Sequence, residues 1–175
     1  MEESYKEYLQ HITTFIFDID GVLTDGNVMI TSDGQMLRSM TVRDGYAIKT
    51  AVSSGYRVCA ISGGSNPGVA SRLHGLGVGD VYLGEHEKPE RLTAYLEENG
   101  IAAENVLYMG DDIPDLVAMR HVGLPCCPND AVAEIKEISR YISHKNGGKG
   151  CVRDVIEQVL RVQGKWNKNV DGKHD

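Results

Sequence analysis

The most constraining feature of the chain is an apolar run that ends in two aspartates and a glycine. Residues 13–17 read Thr-Thr-Phe-Ile-Phe, which is typical of a buried strand, and Asp18, Asp20 and Gly21 follow closely. Side chains alternate along a strand, so the two carboxylates converge only if the chain curls at the strand's carboxyl end, which Gly21 permits. Carboxylates held close together repel and need a cation or a shared proton. Since ligands bind at this edge of open α/β sheets, the sequence predicts a ligand site here.

Length and composition predict one globular domain. The chain has 175 residues, of which 41% are hydrophobic and 25% charged, enough for one core and short for two. We expect a single domain over residues 1–165 and a flexible tail over 166–175. The net charge is −7, and we find no basic cluster in the sequence, which argues against a nucleic-acid partner because phosphate binding needs concentrated lysine and arginine.

The sequence also disfavours membrane and secreted classes. Residues 1–11 are polar and mixed in charge, unlike a signal peptide, and no apolar run approaches the ~20 residues of a membrane span. The four cysteines, Cys59, Cys126, Cys127 and Cys151, fit neither a zinc motif nor a disulfide framework. Cys59, Cys126 and Cys127 lie in apolar runs and are interpreted as small core residues. We therefore expect a cytoplasmic protein with no membrane partner.

Strand-like and helix-like segments alternate along the chain. Strands are predicted near 13–18, 56–61, 80–83, 105–109, 122–126 and 141–143, and helices near 44–54, 66–75, 88–99, 112–120, 130–137 and 150–163. This alternation is typical of an α/β fold, a doubly wound parallel sheet with helices on both faces. In residues 26–41, Asp33-Gly34 between two strand-like runs predicts a small β-hairpin insertion. The hairpin is too small for a cap domain and marginal alone, so we expect it to pack on another subunit.

Polar residues occur at four predicted carboxyl ends of strands or starts of helices. They are Asp18 with Asp20, Ser62 with Gly63 and Gly64, Lys88, and Gly110-Asp111-Asp112 with Asp115. Each group alone is a weak signal, because turns and helix caps commonly use the same residues. The carboxyl ends of parallel strands share one edge of the sheet, so their joint order predicts a single site.

The residue types at this edge match the needs of phosphoryl transfer. Oxygens of Asp18 and Asp111 suit Mg²⁺, which neutralises a phosphate so that a carboxylate can attack it. Ser62 and the backbone N–H groups after it can hold a phosphoryl oxygen, and Lys88 can offset negative charge. Asp20 can protonate the departing alkoxide and then deprotonate the water that hydrolyses the acyl phosphate.

These motifs resemble the four motifs of the haloacid dehalogenase superfamily of phosphohydrolases. The matching segments are Asp-Ile-Asp-Gly-Val at 18–22, Ser62, Lys88 and Gly-Asp-Asp-x-x-Asp at 110–115. The resemblance implies catalytic roles for Asp18 as nucleophile, Asp20 as acid/base, and Lys88. It implies that Mg²⁺ is bound by Asp18, the main-chain oxygen of Asp20, and Asp111, with Asp112 and Asp115 orienting metal-bound water or Lys88.

Further segments resemble one capless subfamily, over about residues 12–165. They are residues 24–26, the hairpin, 42–46 and 147–154. The resemblance implies a Mg²⁺-dependent phosphatase that acts through an aspartyl phosphate on a small acidic eight-carbon sugar phosphate used for lipopolysaccharide. Implied substrate-binding residues are Ser62, Gly63, Arg72 near the substrate carboxylate, and Lys88. It also implies a homotetramer in which the hairpins form a central barrel and a C-terminal segment, here the 147–150 loop and the tail, closes a neighbour's site.

Two positions differ from the residues that relatives in this subfamily carry, and they bear on the choice of substrate. Gly64 stands where relatives often carry arginine, or glutamate in those acting on nine-carbon acids, and Gly75 stands where some nine-carbon relatives have lysine. The glycine at 64 favours an eight-carbon substrate over a nine-carbon acid or another sugar phosphate.

An aspartate-phosphorylated signalling module shares the fold type, but its phosphorylated aspartate ends the third strand, where no acidic residue is predicted here. An inactive scaffold fits less well, because every catalytic position is filled.

Overall fold

A parallel sheet forms the centre of the molecule. The computed structural model of the chain describes residues 4–168. Its strands are β1 Thr14–Phe17, β2 Met29–Ile30, β3 Met36–Leu37, β4 Arg57–Ser62, β5 Asp80–Leu83, β6 Val106–Met109, β7 Leu124–Cys127 and β8 Tyr141–Ile142. Its α-helices are α1 Tyr5–Tyr8, α2 Val42–Ser53, α3 Pro67–Gly75, α4 Lys88–Asn99, α5 Leu116–Met119, α6 Ala133–Ile138 and α7 Cys151–Val162.

The strand order confirms the predicted doubly wound α/β fold. Six strands lie in the order β5-β4-β1-β6-β7-β8, and every neighbouring pair is parallel. Strands β4 and β5 extend the sheet on one side of β1, and the later strands β6, β7 and β8 extend it on the other side. At the carboxyl end of β1, Phe17 pairs with Ala60 of β4 and Met109 of β6. The crevice between β1 and β6 is therefore the topological switch point, where such sheets bind ligands.

Both faces of the sheet are covered by helices. Phe15 and Phe17 of β1 pack with apolar residues of α2, α3 and α7, whereas Ile16 packs on the opposite face with residues of α4, α5 and α6. This alternation follows from the pleat, because successive side chains of a strand point to opposite faces. All three side chains are at most 1% exposed, and burial of each contributes about 1.5–3 kcal/mol. The strand that carries the site is therefore fixed from both sides.

Helices α2, α5 and α6 start at least two residues away from their predicted positions, and α6 begins at Ala133 rather than 130. Helix α2 begins at Val42 rather than 44, because Thr41 caps it and its Oγ1 accepts a hydrogen bond from the N–H of Arg43 at 3.3 Å. The helix predicted over 112–120 is divided into a 3₁₀ turn at Ile113–Asp115 and the short α5. Pro114 lies in the first turn, where it fits a helix start but donates no N–H.

The segment between β1 and α2 contains the predicted hairpin. Strands β2 and β3 pair antiparallel, with Ile30 opposite Met36, and the turn is closed by the N–H of Gly34 donating to the carbonyl of Thr31 at 2.9 Å. Gly34 has φ +85°, which explains the glycine at this position. Each strand is only two residues long, so the hairpin forms no cap domain.

The C-terminal end of the described chain packs on the domain. Trp166, the first residue of the predicted flexible tail, is only 9% exposed and meets the ring of Tyr46 edge-on at 6.1 Å. The prediction is wrong for this residue, because its ring belongs to the apolar cluster around α2 and α7. Residues 169–175 of the predicted tail lie outside the described residues, and the domain boundary at 165 stays a prediction.

Two predictions about residue classes are tested by the fold. All four cysteines are free and buried, which confirms the interpretation of Cys59, Cys126 and Cys127 as core residues and adds Cys151 to them. Between residues 4 and 168, no helix combines the length and the apolar character that crossing a bilayer requires.

Candidate active site

The turn after β1 brings Asp18 to the switch point. The N–H of Asp18 donates to the carbonyl of Met109 in β6 at 3.0 Å, so the residue is fixed beside the neighbouring strand. The chain then turns through Ile19–Leu23 and is closed by the N–H of Thr24 donating to the carbonyl of Ile19 at 3.0 Å. Gly21 has φ +97° in this turn, a conformation that favours glycine. The curl predicted from the sequence is therefore present.

Three carboxylates meet where β1 and β6 end. Oxygens of Asp18, Asp111 and Asp115 lie within 4.8 Å of one another. Gly21 allows this approach, because a Cβ atom at that position would overlap the carboxylate of Asp111. Asp18 and Asp111 were predicted to share a site, and the structure places them together.

Lys88 lies inside this carboxylate cluster. Its Nζ is 2.9 Å from Oδ1 of Asp18 and 2.7 Å from Oδ1 of Asp115, and the residue is only 4% exposed. Asp115 receives two further hydrogen bonds, from the hydroxyl of Tyr108 to Oδ1 at 2.9 Å and from the N–H of Asp111 to Oδ2 at 3.3 Å. Both oxygens of Asp115 are thus engaged by the protein, which suits a residue that orients Lys88.

The cluster holds more negative charge than one ammonium group can balance. Burial and then the charge of Asp115 raise the pKa of Asp18, Lys88 lowers it, and the net result is a pKa of about 6. Burial, followed by the charges of Asp18 and Asp115, raises the pKa of Asp111 to about 8. Burial alone would lower the pKa of Lys88, but Asp115 and Asp18 raise it overall, so the ammonium stays charged. The arrangement therefore has negative charge that a second cation would neutralise.

The donor set fits Mg²⁺. Oδ1 of Asp111 is buried and has no hydrogen-bond partner among the described residues, although buried polar atoms are normally paired. Carboxylate oxygens are the ligands that this hard cation prefers. Asp18 and Asp111 are therefore the side chains that would hold the ion, and the main-chain oxygen of Asp20 stays a predicted third ligand.

Binding of Mg²⁺ is expected to depend on pH. The pKa values of Asp18 and Asp111, about 6 and 8, lie above the ordinary value of 3.8, so the folded protein without metal binds more protons than the unfolded chain in this pH range. Its stability therefore falls as the pH rises from 3.8 through these values, because the folded state then releases those protons. Mg²⁺ must displace those protons, so we expect it to raise the melting temperature more at about pH 8 than at about pH 5.5. Calorimetry in buffers of different ionisation enthalpy would count the protons released. Equal stabilisation at both pH values would contradict the assignment.

The Asp20 side chain is held by a residue that the sequence did not single out. Nε and Nη2 of Arg38, which follows β3, donate to Oδ1 and Oδ2 of Asp20 at 2.7 and 3.2 Å. Such bidentate arginine–carboxylate pairs fix the relative orientation of the two groups and also balance their charges. Tyr108 was also missed, because its place in an apolar strand assigned it to the core. The only sequence signal for Arg38 was a lone basic residue at the end of an apolar run.

Ser62 lies close to Asp20. It ends β4, is 2% exposed, and its Oγ accepts a hydrogen bond from the N–H of Gly64 at 3.2 Å. A Cβ atom on Gly64 would be 3.1 Å from Oδ2 of Asp20 and 3.6 Å from Oγ of Ser62. Gly63 lies beside the exposed His86, whose Nδ1 would be 3.8 Å from a Cβ on Gly63. The structure thus places the predicted segment Ser62-Gly63-Gly64 next to the predicted Asp18/Asp20 motif.

Arg72 lies apart from these residues in the described chain. It packs on the first turn of α2, where its Nη2 would be 2.7 Å from a Cβ on Gly45. Together with Arg43, Lys49 and Arg153 it lines a cavity of about 500 Å³. The lining includes no acidic residue and none of the predicted catalytic side chains among residues 4–168. A role for Arg72 in substrate binding stays a prediction.

The 147–150 loop packs directly on the turn after β1. A Cβ on Gly147 would overlap the carbonyl oxygen of Gly21, so only glycine fits there. The N–H of Gly148 and the thiol of Cys151 both donate to the carbonyl of Val22, at 2.9 and 3.3 Å. This loop therefore supports the turn after β1 of its own chain, a contact that the sequence did not predict.

Comparison with known proteins gives a consistent assignment. A family profile described as haloacid dehalogenase-like hydrolase matches residues 74–156. The chain is 38% identical over 159 residues to 3-deoxy-D-manno-octulosonate 8-phosphate phosphatase of Salmonella typhi, covering 91% of this chain and 85% of that protein. It is 33% identical over 160 residues to the Haemophilus influenzae enzyme of the same name, covering 91% and 89% of the two chains.

Solved structures of such enzymes share the fold. The 3-deoxy-D-manno-octulosonate 8-phosphate phosphatase of Moraxella catarrhalis, in complex with magnesium, phosphate and KDO, is 31% identical and superposes with a TM-score of 0.90 over 93% of this chain and 94% of that one. A cobalt-bound Haemophilus influenzae phosphatase is 34% identical and gives a TM-score of 0.86 over 90% and 92% of the chains.

Proposed function

Because this chain belongs to the haloacid dehalogenase-like hydrolases, in the family of the 3-deoxy-D-manno-octulosonate 8-phosphate phosphatases, we propose that it hydrolyses this eight-carbon sugar-acid phosphate to KDO and phosphate. The observation that carries the proposal is the buried cluster of Asp18, Asp111 and Asp115 around Lys88. The cluster lies at the switch point of the sheet and sets three carboxylates against one ammonium group. It therefore suits a Mg²⁺-dependent attack on a phosphate ester better than an unreactive structural role.

The first half of the proposed reaction transfers the phosphoryl group to Asp18. When bound, Mg²⁺ supplies positive charge that neutralises the phosphate and allows an anionic nucleophile to approach. A carboxylate oxygen of Asp18 attacks phosphorus, and the bond from phosphorus to the C8 oxygen of the sugar breaks. Asp20 gives its proton to that departing oxygen. Lys88 stays charged beside Asp18, while the hydroxyl of Ser62 and the N–H of Gly63 hold a phosphoryl oxygen.

The second half restores the enzyme. Asp20, now a carboxylate, takes a proton from a water molecule, and the water oxygen attacks the phosphorus of the aspartyl phosphate. The bond between phosphorus and the Asp18 oxygen breaks and inorganic phosphate leaves. Asp115 keeps Lys88 in place throughout, since its Oδ1 accepts from both Lys88 and Tyr108.

The eight-carbon substrate is the specific part of the proposal and has a direct test. We expect purified, Mg²⁺-loaded protein to release phosphate from 3-deoxy-D-manno-octulosonate 8-phosphate with kcat/KM at least about tenfold above that for a nine-carbon sugar-acid 9-phosphate, a difference of about 1.4 kcal/mol in transition-state binding. Glucose 6-phosphate serves as a neutral-sugar control. Equal or better turnover of the nine-carbon substrate would replace this assignment with the alternative one.

Arg72 is part of the same proposal as a ligand for the substrate carboxylate. Its cavity, which it shares with Arg43, Lys49 and Arg153, has four cationic side chains and no acidic one. Such a lining attracts an anionic sugar in a chain whose net charge is −7. A cytoplasmic location is also proposed, and the four free cysteines support it, because disulfides are rare in reducing compartments.

A homotetramer assembled through the hairpin is likewise proposed. The support is the exposure of its apolar side chains, which reaches 68% for Met29 and 70% for Ile30. We expect the double substitution Met29→Lys with Ile30→Lys to lower the molar mass measured by light scattering from that of a tetramer to that of a smaller species. Val162→Lys changes an apolar side chain that is 45% exposed at the end of α7 and serves as the control. An unchanged mass for the hairpin variant would contradict assembly through this surface.

A further inference from the structure

Arg38 is turned inward although it belongs to an exposed hairpin. The neighbouring Met36 and Leu37 are 53% and 45% exposed, whereas the side chain of Arg38 is only 11% exposed. Arginine side chains are rarely this buried unless they are paired. Here the guanidinium spans both oxygens of the Asp20 carboxylate, at 2.7 and 3.2 Å.

The orientation of the Asp20 carboxylate depends on this one contact. Within residues 4–168, its two oxygens accept hydrogen bonds from no donor other than Arg38. A planar guanidinium that binds both oxygens fixes rotation of the carboxylate, which a point charge does not. The side chain of Asp20 is also 32% exposed. Water can solvate the carboxylate in many orientations, so contact with solvent does not fix one of them.

Strand β3 of the hairpin is in turn hydrogen-bonded to the loop after β4. The carbonyl of Met36 accepts one hydrogen bond from Nη1 of Arg38 at 3.3 Å and another from Nδ2 of Asn66 at 2.9 Å. Gly64 leaves room for the pair, since a Cβ there would be 3.1 Å from Oδ2 of Asp20 and 3.7 Å from Nη2 of Arg38. The position of the hairpin is thereby linked to the segment that carries Ser62.

We propose that Arg38 is a positioning residue that holds Asp20 in the orientation needed for proton transfer. The inference rests on the acid/base role of Asp20 in the proposed function. When Asp20 gives its proton to the leaving oxygen, one carboxyl oxygen carries that proton and the other still accepts from Arg38. The guanidinium keeps all its protons and only directs the carboxylate. A proton donor must lie within hydrogen-bond reach of its target, so loss of this orientation slows the step.

The test is a double-mutant cycle between Arg38 and Asp20. We expect Arg38→Met to lower kcat on the sugar-acid phosphate about 10- to 100-fold while KM changes less than about threefold. The burst of nitrophenol from p-nitrophenyl phosphate, which reports the first step, falls much less, because nitrophenolate leaves without a proton. In Asp20→Asn protein, Arg38→Met causes no further loss, since a residue that acts through Asp20 has nothing left to position. Arg38→Lys restores only part of the rate.

Controls separate this role from folding and from the substrate assignment. Arg57→Met removes an exposed arginine from the opposite end of the sheet, where it pairs with Asn99 at 2.9 Å, and leaves the rates unchanged. The fold and molar mass of each variant are compared by circular dichroism and light scattering, and Arg38→Lys carries the test if Arg38→Met does not fold. The nitrophenol burst needs no sugar acid. A wild-type enzyme that releases nitrophenol but ignores the sugar-acid phosphate therefore overturns the substrate assignment alone.

Three results would overturn the inference itself. Fully additive losses in the double variant would mean that Arg38 acts on the substrate directly. Equal losses for the sugar and nitrophenyl substrates would mean that it does not affect protonation of the leaving group. Wild-type kcat in Arg38→Met would mean that Asp20 needs no support from the hairpin. A wild-type protein inactive towards both substrates would overturn the inference together with the proposed function.

Discussion

Replacing Asp18 with asparagine is expected to abolish turnover while the domain stays folded. An amide is not a nucleophile towards phosphorus, so kcat should fall by at least about four orders of magnitude. The side chain keeps its shape, and the change removes one of three mutually repelling carboxylates from a buried cluster. The melting temperature of the metal-free variant should therefore equal or exceed that of the wild type. Phosphate release and circular dichroism would check both expectations.

The covalent intermediate gives this prediction a second readout. Acid quenching of the wild type during turnover should trap a phosphorylated protein visible by intact mass, and Asp18→Asn should show none. Glu134→Gln is the matched control, because it makes the same change from carboxylate to amide at an exposed residue of α6. We expect that variant to retain activity within about threefold. A phosphorylated Asp18→Asn protein would identify a different nucleophile.

Replacing Lys88 with methionine is expected to have the largest effect on stability. The ammonium lies between Asp18 and Asp115 at 2.9 and 2.7 Å, and its removal leaves buried carboxylates without their protein cation. Breaking a buried ion pair on one side costs about 3–5 kcal/mol. The loss should be greatest at high pH, because protonation of Asp18 and Asp111 below their raised pKa values of about 6 and 8 relieves the repulsion. Activity should fall by about 10²–10³-fold.

Urea unfolding in the presence of a chelator would measure this effect at two pH values. Lys145→Met removes an exposed lysine from the 144–149 segment and should change stability by less than about 0.5 kcal/mol. Saturating Mg²⁺ should recover part of the stability of Lys88→Met, since the ion then supplies positive charge to the same carboxylates. A loss that is independent of pH would contradict an electrostatic role for Lys88.

The sheet and the main cluster could be predicted because their signals are local. The apolar runs that became β1, β4 and β6 each end in a polar group, and parallel strands bring such ends to one edge. Asp18 and Asp111 are far apart in sequence, yet their positions at strand ends were sufficient to predict that they meet. The placement of Lys88 at this edge of the sheet followed from the same reasoning, since it begins the helix after β5, whereas its burial is a finding of the structure.

The remaining contacts could not be predicted because they depend on how separate segments pack. Arg38 reaches Asp20 across 18 residues, and no periodicity specifies which way a hairpin folds back. The hydroxyl of Tyr108 points into the cluster from a strand whose pattern reads as apolar core. Trp166 lies beyond the last helical repeat, so its packing on Tyr46 has no signal in the local pattern. Such tertiary contacts override local preferences.

The contact between Gly147, Gly148 and the turn after β1 has a consequence for biosynthesis. On the ribosome, residues 18–115 emerge with every residue that we propose to be catalytic, but the carbonyls of Gly21 and Val22 still lack the loop that packs on them. A nascent or prematurely terminated chain ending before residue 147 therefore contains Asp18 and Asp20 without the loop that supports their turn. We expect such fragments to be inactive, so that hydrolysis begins only after residues 147 and 148 have been synthesised and packed on the turn.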